Sequence, residues 1–272
     1  MTEEKQPKRE FRSFMSFGTA EGRPTADSLA RFYNHSHALA GDVPIKVRET
    51  FVTLDHDMTK GSDHLSLIEG LVCHAAAEVW ASDTILRAQV APLTMFHHAR
   101  ALYEAHAMTY WLLGDLPNRA PRLLKDYLAE REGFEEAAEK SIGKVVTDIA
   151  PGGRTLLNDP RVKRPPSVHD QVTGHPVLEF DYALFWKYAS AHSHPGNIGT
   201  GEIDQDSERT TILQIMGGAI RHSAGVYRHI VNHYNLDLGP VGEQLAEAED
   251  YARYRFQGAP VEPGTQGNQV QS

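Results

Sequence analysis

From Leu65 onward the apolar residues recur every third or fourth position: Leu65, Ile68, Val72, Ala76, Val79 and Trp80, continuing through Ile85 and Leu86 to Val90. That period is the signature of a helix with one buried face. The helix opens near Gly61-Ser62-Asp63, where Ser66 and Glu69 have the spacing of a capping box. Pro92 suits the first turn of a new helix, and LTMFHHARALYEAHAMTYWLL runs from it to a stop at Gly114. Pro92 could instead kink one very long helix; two helices are the preferred reading.

Upstream, ADSLARFYNHSHALA after Thr25 reads as a short helix ending before Gly41, and Lys46 to Leu54 is ambiguous between helix and strand. Downstream, Leu116 to Arg119 reads as a turn and Arg122 to Lys140 as an amphipathic helix. Its inward face would hold Leu123, Leu124, Tyr127, Leu128, Phe134 and Ala138. Between 141 and 175, Gly143, Pro151-Gly152-Gly153, Pro160 and Pro165-Pro166 predict a long irregular loop of the lid or ligand-binding kind. Four basic residues, Arg154, Arg161, Lys163 and Arg164, cluster in it.

Leu178 to about His192 is helical again, packed with Phe180, Tyr182, Phe185, Trp186 and Tyr188, and ends at Pro195-Gly196. A long helix opening at Asp206-Ser207-Glu208 carries a stripe of Ile212, Ile215, Met216, Ala219, Ser223, Val226, Tyr227, Ile230 and Tyr234. Gly217, Gly218 and Gly225 would weaken it in isolation, which points to close contact with another helix. VGEQLAEAEDYARYRF forms the last helix. The organisation predicted is all-α: an N-terminal arm over 1–24, one multi-helix bundle over 25–257 and a polar tail over 258–272.

Composition narrows the function classes. A net charge of -9 favours no general attraction to phosphate backbones or anionic lipid, although a local basic site remains open. Cys73, the only cysteine, reads as a small core residue, and no paired-cysteine zinc site or internal disulfide can form. The charged N-terminus lacks a signal-peptide run and no segment is apolar enough to span a membrane, so a cytoplasmic location is expected. Fifteen histidines supply groups that titrate or bind metals near neutral pH. P-loop, GxGxxG, GxSxG and HExxH patterns are all missing, so no nucleotide-cofactor motif is present, while a metal stays open without a strong motif for it.

Chemistry concentrates in three places. His97, Arg100, Glu104 and Met108 share one helical stripe, with His98 and His106 on other faces, and Arg100 and Glu104 are spaced to pair directly. Tyr103 and Trp111 flank them as candidate substrate contacts. Tyr182, Trp186, Ser190 and His194 form the second group, where a histidine at a helix C-terminus is favoured in its charged form. Third, His222, His229 and His233 follow seven- and four-residue steps, so one face can carry all three. Asp55-His56-Asp57 and His35-Ser36-His37 read as solvated loop or cap residues.

Arg100-x-x-x-Glu104, then Tyr110-Trp-Leu-Leu, then Ser190-Ala-His-Ser-His194-Pro195, resembles a broad group of uncharacterised bacterial helical proteins. Those proteins pair an Arg-x-x-x-Glu helix with a later aromatic helix ending in Ser-x-x-x-His-Pro. The resemblance spans roughly residues 65 to 196 and implies that Arg100, Glu104, Ser190 and His194 converge inside the bundle. Separately, Arg228-His229-x-x-x-His233 is similar to the Arg-[Asn/Asp/His]-x3-His signature of HEPN (higher eukaryotes and prokaryotes nucleotide-binding) domains. That resemblance implies a helical, often dimeric, metal-independent ribonuclease of defence or stress systems. Arg228 and His233 would then be catalytic, with Arg154 and Arg161 on the RNA backbone.

Three readings follow. The first is an enzyme using an internal Arg100/Glu104/His194 pocket on a small anionic or nucleotide-like substrate by acid-base chemistry, with a metal held by His97, Glu104 and His194 as a variant. The second is the HEPN-like ribonuclease. The third is a non-catalytic helical sensor or partner-binding module. A homodimer is compatible with each.

Overall fold

The computed structural model describes residues 24–58, 63–88, 94–143, 149–187, 190 and 205–256. The fold is all-α, and the described residues include no strand. In chain order the helices are α1 (Ala26–Ala40), α2 (Asp42–Met58), α3 (Asp63–Ala88), α4 (Met95–Gly114), α5 (Leu116–Ile142), α6 (Pro151–Asn158), α7 (Val168–Val172) and α8 (Pro176–Asp181). A π-helical turn (Tyr182–Trp186), α9 (Gln205–Tyr234) and α10 (Val241–Phe256) complete them. The predicted arm and tail, and Pro92, lie outside the described residues.

Helix α9 is the centre of the bundle, packed most extensively on α4 and α10 and also on α3, α1 and α2. Its expected stripe is buried: Ile212, Ile215, Met216, Ala219, Ser223, Val226, Tyr227 and Ile230 are in the core, with Tyr234 at the margin. Facing them are Phe32, Leu39, Ile68, Val72, Phe96, Leu102 and Tyr103. Each large apolar side chain buried this way contributes about 1.5–3 kcal/mol. Two buried tyrosine hydroxyls tie distant elements together. Tyr227 donates to the Leu39 carbonyl at 2.8 Å and Tyr103 to the Leu178 carbonyl at 2.7 Å.

Several expectations are corrected. Lys46 to Leu54 is helical, within α2, and His35-Ser36-His37 and Asp55-His56-Asp57 sit inside α1 and α2 rather than in loops. Ser36 is buried and its hydroxyl donates to Asp83 at 2.6 Å. The turn at Leu116 to Arg119 is the first turn of α5, where a proline in the opening positions costs no backbone bond. Pro151 likewise opens α6, so the loop predicted over 141–175 is interrupted by α6 and α7. Its longest irregular stretch, among the described residues, is 159–167.

Trp80 (65% exposed), Phe134 (64%), Tyr127 and Phe180 face outward, because no helix among the described residues covers the face that their periodicity marked. Cys73 is exposed too; the inward positions on that turn of α3 belong to Val72 and Ala75. No helix among the described residues is long and apolar enough to cross a membrane.

Candidate functional site

Helix α4 presents polar side chains along the edge where α8, the π turn and α9 meet it. Arg100 and Glu104 stand one turn apart, and Arg100 Nε donates to Glu104 Oε1 at 2.9 Å. The Trp186 indole N–H donates to the same oxygen, also at 2.9 Å. The Arg100 guanidinium lies 5.2 Å from the centre of the Trp186 ring, and Tyr182 stacks on that ring at 4.9 Å and 15°. Trp186 reaches this position from the π turn, in which Lys187 N–H bonds back to the Tyr182 carbonyl. Such a turn re-aims the side chains that follow it, and single π turns recur at functional sites.

On the other side of the π turn sits a fully buried group. Asp181, the residue before the turn, is completely shielded from solvent. Its Oδ2 lies 3.2 Å from Arg221 Nε and 3.9 Å from His222 Nε2, and neither oxygen meets a donor in hydrogen-bonding geometry among the described residues. Burial pushes its pKa up to about 6, against the pull of Arg221. The same burial pushes the Arg221 pKa down, with Asp181 opposing.

A file of imidazoles leads outward from Asp181. His222 Nδ1 and His106 Nδ1 are 3.2 Å apart, so one ring donates to the other and both cannot be cationic. The rings of His106 and His229 are 5.0 Å apart and those of His229 and His175 6.0 Å. Tyr110, half-buried, lies edge-on to His175 at 4.6 Å and 5.6 Å from His229. Burial holds the pKa of His106 and His222 well below the ordinary imidazole value, reinforced by neighbouring histidines and Arg221 for His106 and by Arg221 for His222. His229 is lowered to about 4 by burial and by His175, and His175 is lowered by burial and Arg221.

Glycine makes this approach possible. A Cβ at Gly225 would collide with the His106 ring, and one at Gly218 with the Phe185 ring of the π turn. The close helix contact expected for these two glycines is therefore met by α4 and by the π turn.

Of the residues singled out in the sequence, Arg100, Glu104, Tyr182 and Trp186 are brought together. Tyr103 belongs to the buried group, its ring 5.0 Å from His222. Trp111 lies farther along α4, beneath Arg119 and Arg122, whose guanidiniums are each 5.3 Å from its ring. Ser190 is helical and half-buried, whereas His194 is outside the described residues. His97 is exposed beside His98, and no three His, Cys, Asp or Glu side chains among the described residues are placed to hold a metal. Arg228 is held by Glu249 of α10 at 2.6 to 3.0 Å, and His233 is exposed with its ring on Tyr234 at 4.7 Å. Arg154 is on α6 and Arg161 on the loop after it, both exposed.

The histidine spacing on α9 located His222 and His229, but His233 turns outward in its last turn. His106 was assigned to a different face from Arg100, correctly, yet that face is the one α9 covers. Arg221 is marked in the sequence only as the neighbour of His222 in the third group, and nothing in the spacing singles out His175 or Asp181. Compared with protein-family models, with curated proteins and with solved structures, the chain matches none.

Proposed function

We propose that the chain binds a small anionic or nucleotide-like molecule at the Arg100–Glu104–Trp186 group and performs acid-base chemistry on it. The observation supporting this reading is the π turn that carries two charged layers. Its outer residues engage Arg100 and Glu104, and Asp181 at its start is buried against Arg221 and His222. Arg100, half-buried and backed by an aromatic ring, retains guanidinium N–H groups for a carboxylate or phosphate. Glu104 is the proton acceptor or donor, with its carboxylate orientation fixed by the Trp186 indole. Ser190 and His194 would join it as the resemblance implies.

The test is thermal stabilisation by inorganic phosphate, a dicarboxylate and a nucleoside monophosphate, on wild type, R100A and E104Q. A ligand at about 100 times its Kd stabilises by about 2.7 kcal/mol. Wild type should show saturable stabilisation by one of the three; R100A should lose it while melting cooperatively; E104Q should retain binding. Stabilisation undiminished in R100A, or a chain that unfolds when Arg100 is removed, overturns the reading.

A further inference from the structure

Most arginines among the described residues are matched to a carboxylate. Arg31 pairs with Asp27, Arg48 with Glu69, Arg87 with Asp83, Arg100 with Glu104, Arg131 with Glu135 and Arg228 with Glu249. One surface departs from that pattern. At the N-terminal half of α5, Arg119 donates to the Trp111 carbonyl, Arg122 to the carbonyls of Lys163 and Arg164 (2.7 Å to the latter), and Lys125 to the carbonyl of Asp159 at 2.7 Å. A carbonyl oxygen fixes a cation without cancelling its charge.

Those bonds also fasten the 159–167 loop across α5, which places Arg161, Lys163 and Arg164 beside Arg122 and Lys125. Arg161 is 87% exposed and Arg164 68% exposed. Their carboxylate partners are Asp159 for Arg161 and, at 3.5 Å, Asp126 for Arg164. Six cations thus share this surface, and the carboxylates paired with them among the described residues are those of Asp159 and Asp126, on a chain whose net charge is -9.

We infer that this α5–loop surface binds the phosphate backbone of a nucleic-acid strand. The field of a local basic patch on an acidic protein selects a polyanion whose charges are closely and regularly spaced, and association releases its condensed counterions. A folded acidic protein fits less well, because stable protein interfaces need an apolar core and this surface is made of charge and backbone. Carbonyl anchoring holds Arg119, Arg122 and Lys125 in place before the strand arrives, so little of their side-chain freedom remains to be lost. The surface is separate from the Arg100 site and stands or falls independently of it.

The experiment is fluorescence anisotropy of a labelled 20-nucleotide single strand, as RNA and as DNA, titrated with the full chain from about 50 to about 200 mM salt. Wild type should bind at the lower salt and weaken as salt rises, with a linear dependence of log affinity on log salt. The exposed pair K163E/R164E should fold normally, keep anion binding at Arg100, and lose binding to the strand at least tenfold. K163A/R164A should lower the salt slope by about 1.4, two phosphate contacts on a single strand. Absence of binding at low salt, or affinity unchanged in K163E/R164E, overturns the inference. Competition by polyglutamate as effective as by unlabelled strand also overturns it, and assigns the surface to an acidic protein segment. Equal binding of RNA and DNA supports it, as does a preference for either.

Discussion

Acidification should loosen the α4–α9 contact through its buried imidazoles. In the unfolded chain His106, His222 and His229 titrate near 6.5, whereas in the fold all three are held lower. The unfolded state therefore binds more protons below pH 6.5, and stability is lost as the pH falls. Each histidine that stays neutral in the fold costs about 1.4 kcal/mol per pH unit below its unfolded value. At pH 5.5, three of them amount to a loss of about 4 kcal/mol. Asp181 opposes this: its folded pKa of about 6 lies above the unfolded 3.8, so the fold regains stability as it takes up a proton. By pH 5.5 that return is about 1 kcal/mol. For these four groups together the loss is about 3 kcal/mol, which corresponds to a fall in Tm on the order of 6–12 °C for a domain of this size. Circular dichroism melts at pH 7.5 and 5.5 measure it directly. The triple variant H106Q/H222Q/H229Q should melt lower at pH 7.5 yet lose most of the pH dependence. If wild type melts at the same temperature at both pH values, or the triple variant keeps the full dependence, the argument from buried neutral imidazoles is refuted.

Three further outcomes are expected. G225A should destabilise by about 1–3 kcal/mol, because its methyl displaces the His106 ring, whereas G152A in exposed α6, with open space around the new Cβ, should be neutral or stabilising by up to about 1 kcal/mol; denaturant melts of the two distinguish packing from helix propensity. Y103F and Y227F should each cost about 1–2 kcal/mol by leaving a buried carbonyl without its donor, and the double variant should show near-additive losses, since the two bonds tie α4 to α8 and α9 to α1. Wild type and H233A should treat a labelled RNA alike in a cleavage assay; cleavage that disappears in H233A would move the chemistry to the C-terminal end of α9 and favour the ribonuclease reading.

Much of the architecture was legible because period and stop signals coincide. The α9 stripe from Ile212 to Ile230 and the Gly114 boundary needed only the local pattern. Trp80, Tyr127 and Phe134 were misread for a general reason: a helical period identifies an apolar face, but whether another helix arrives to cover it depends on the tertiary arrangement. Pro151-Gly152-Gly153 misled differently, since proline breaks a helix in its interior yet suits its first turn.

The site divides along the same line. Arg100 and Glu104 announced themselves by their spacing on one helix, and the aromatic run around Trp186 marked the opposing element. The π turn had no sequence signal, and it decides which of those aromatics reaches Glu104. His175 and Asp181 bound the short helix α8 and Arg221 lies on α9, so these groups gather around His106 and His222 only when the bundle is assembled.

The Tyr227–Leu39 bond joins residues 188 positions apart, and α9 is the helix against which α1, α3 and α4 bury their apolar faces. During synthesis those three helices emerge well before their common partner. At about 5–20 residues per second, the interval between completing α4 and completing α9 is on the order of 6–24 seconds. Throughout it Phe96, Leu102 and Tyr103 lack the surface that covers them in the native bundle. Chain-length-resolved proteolysis of stalled nascent chains should therefore show protection of α1–α4 arriving late and together, after α9 has cleared the exit tunnel. Collapse of the bundle is thus closed by the arrival of one helix.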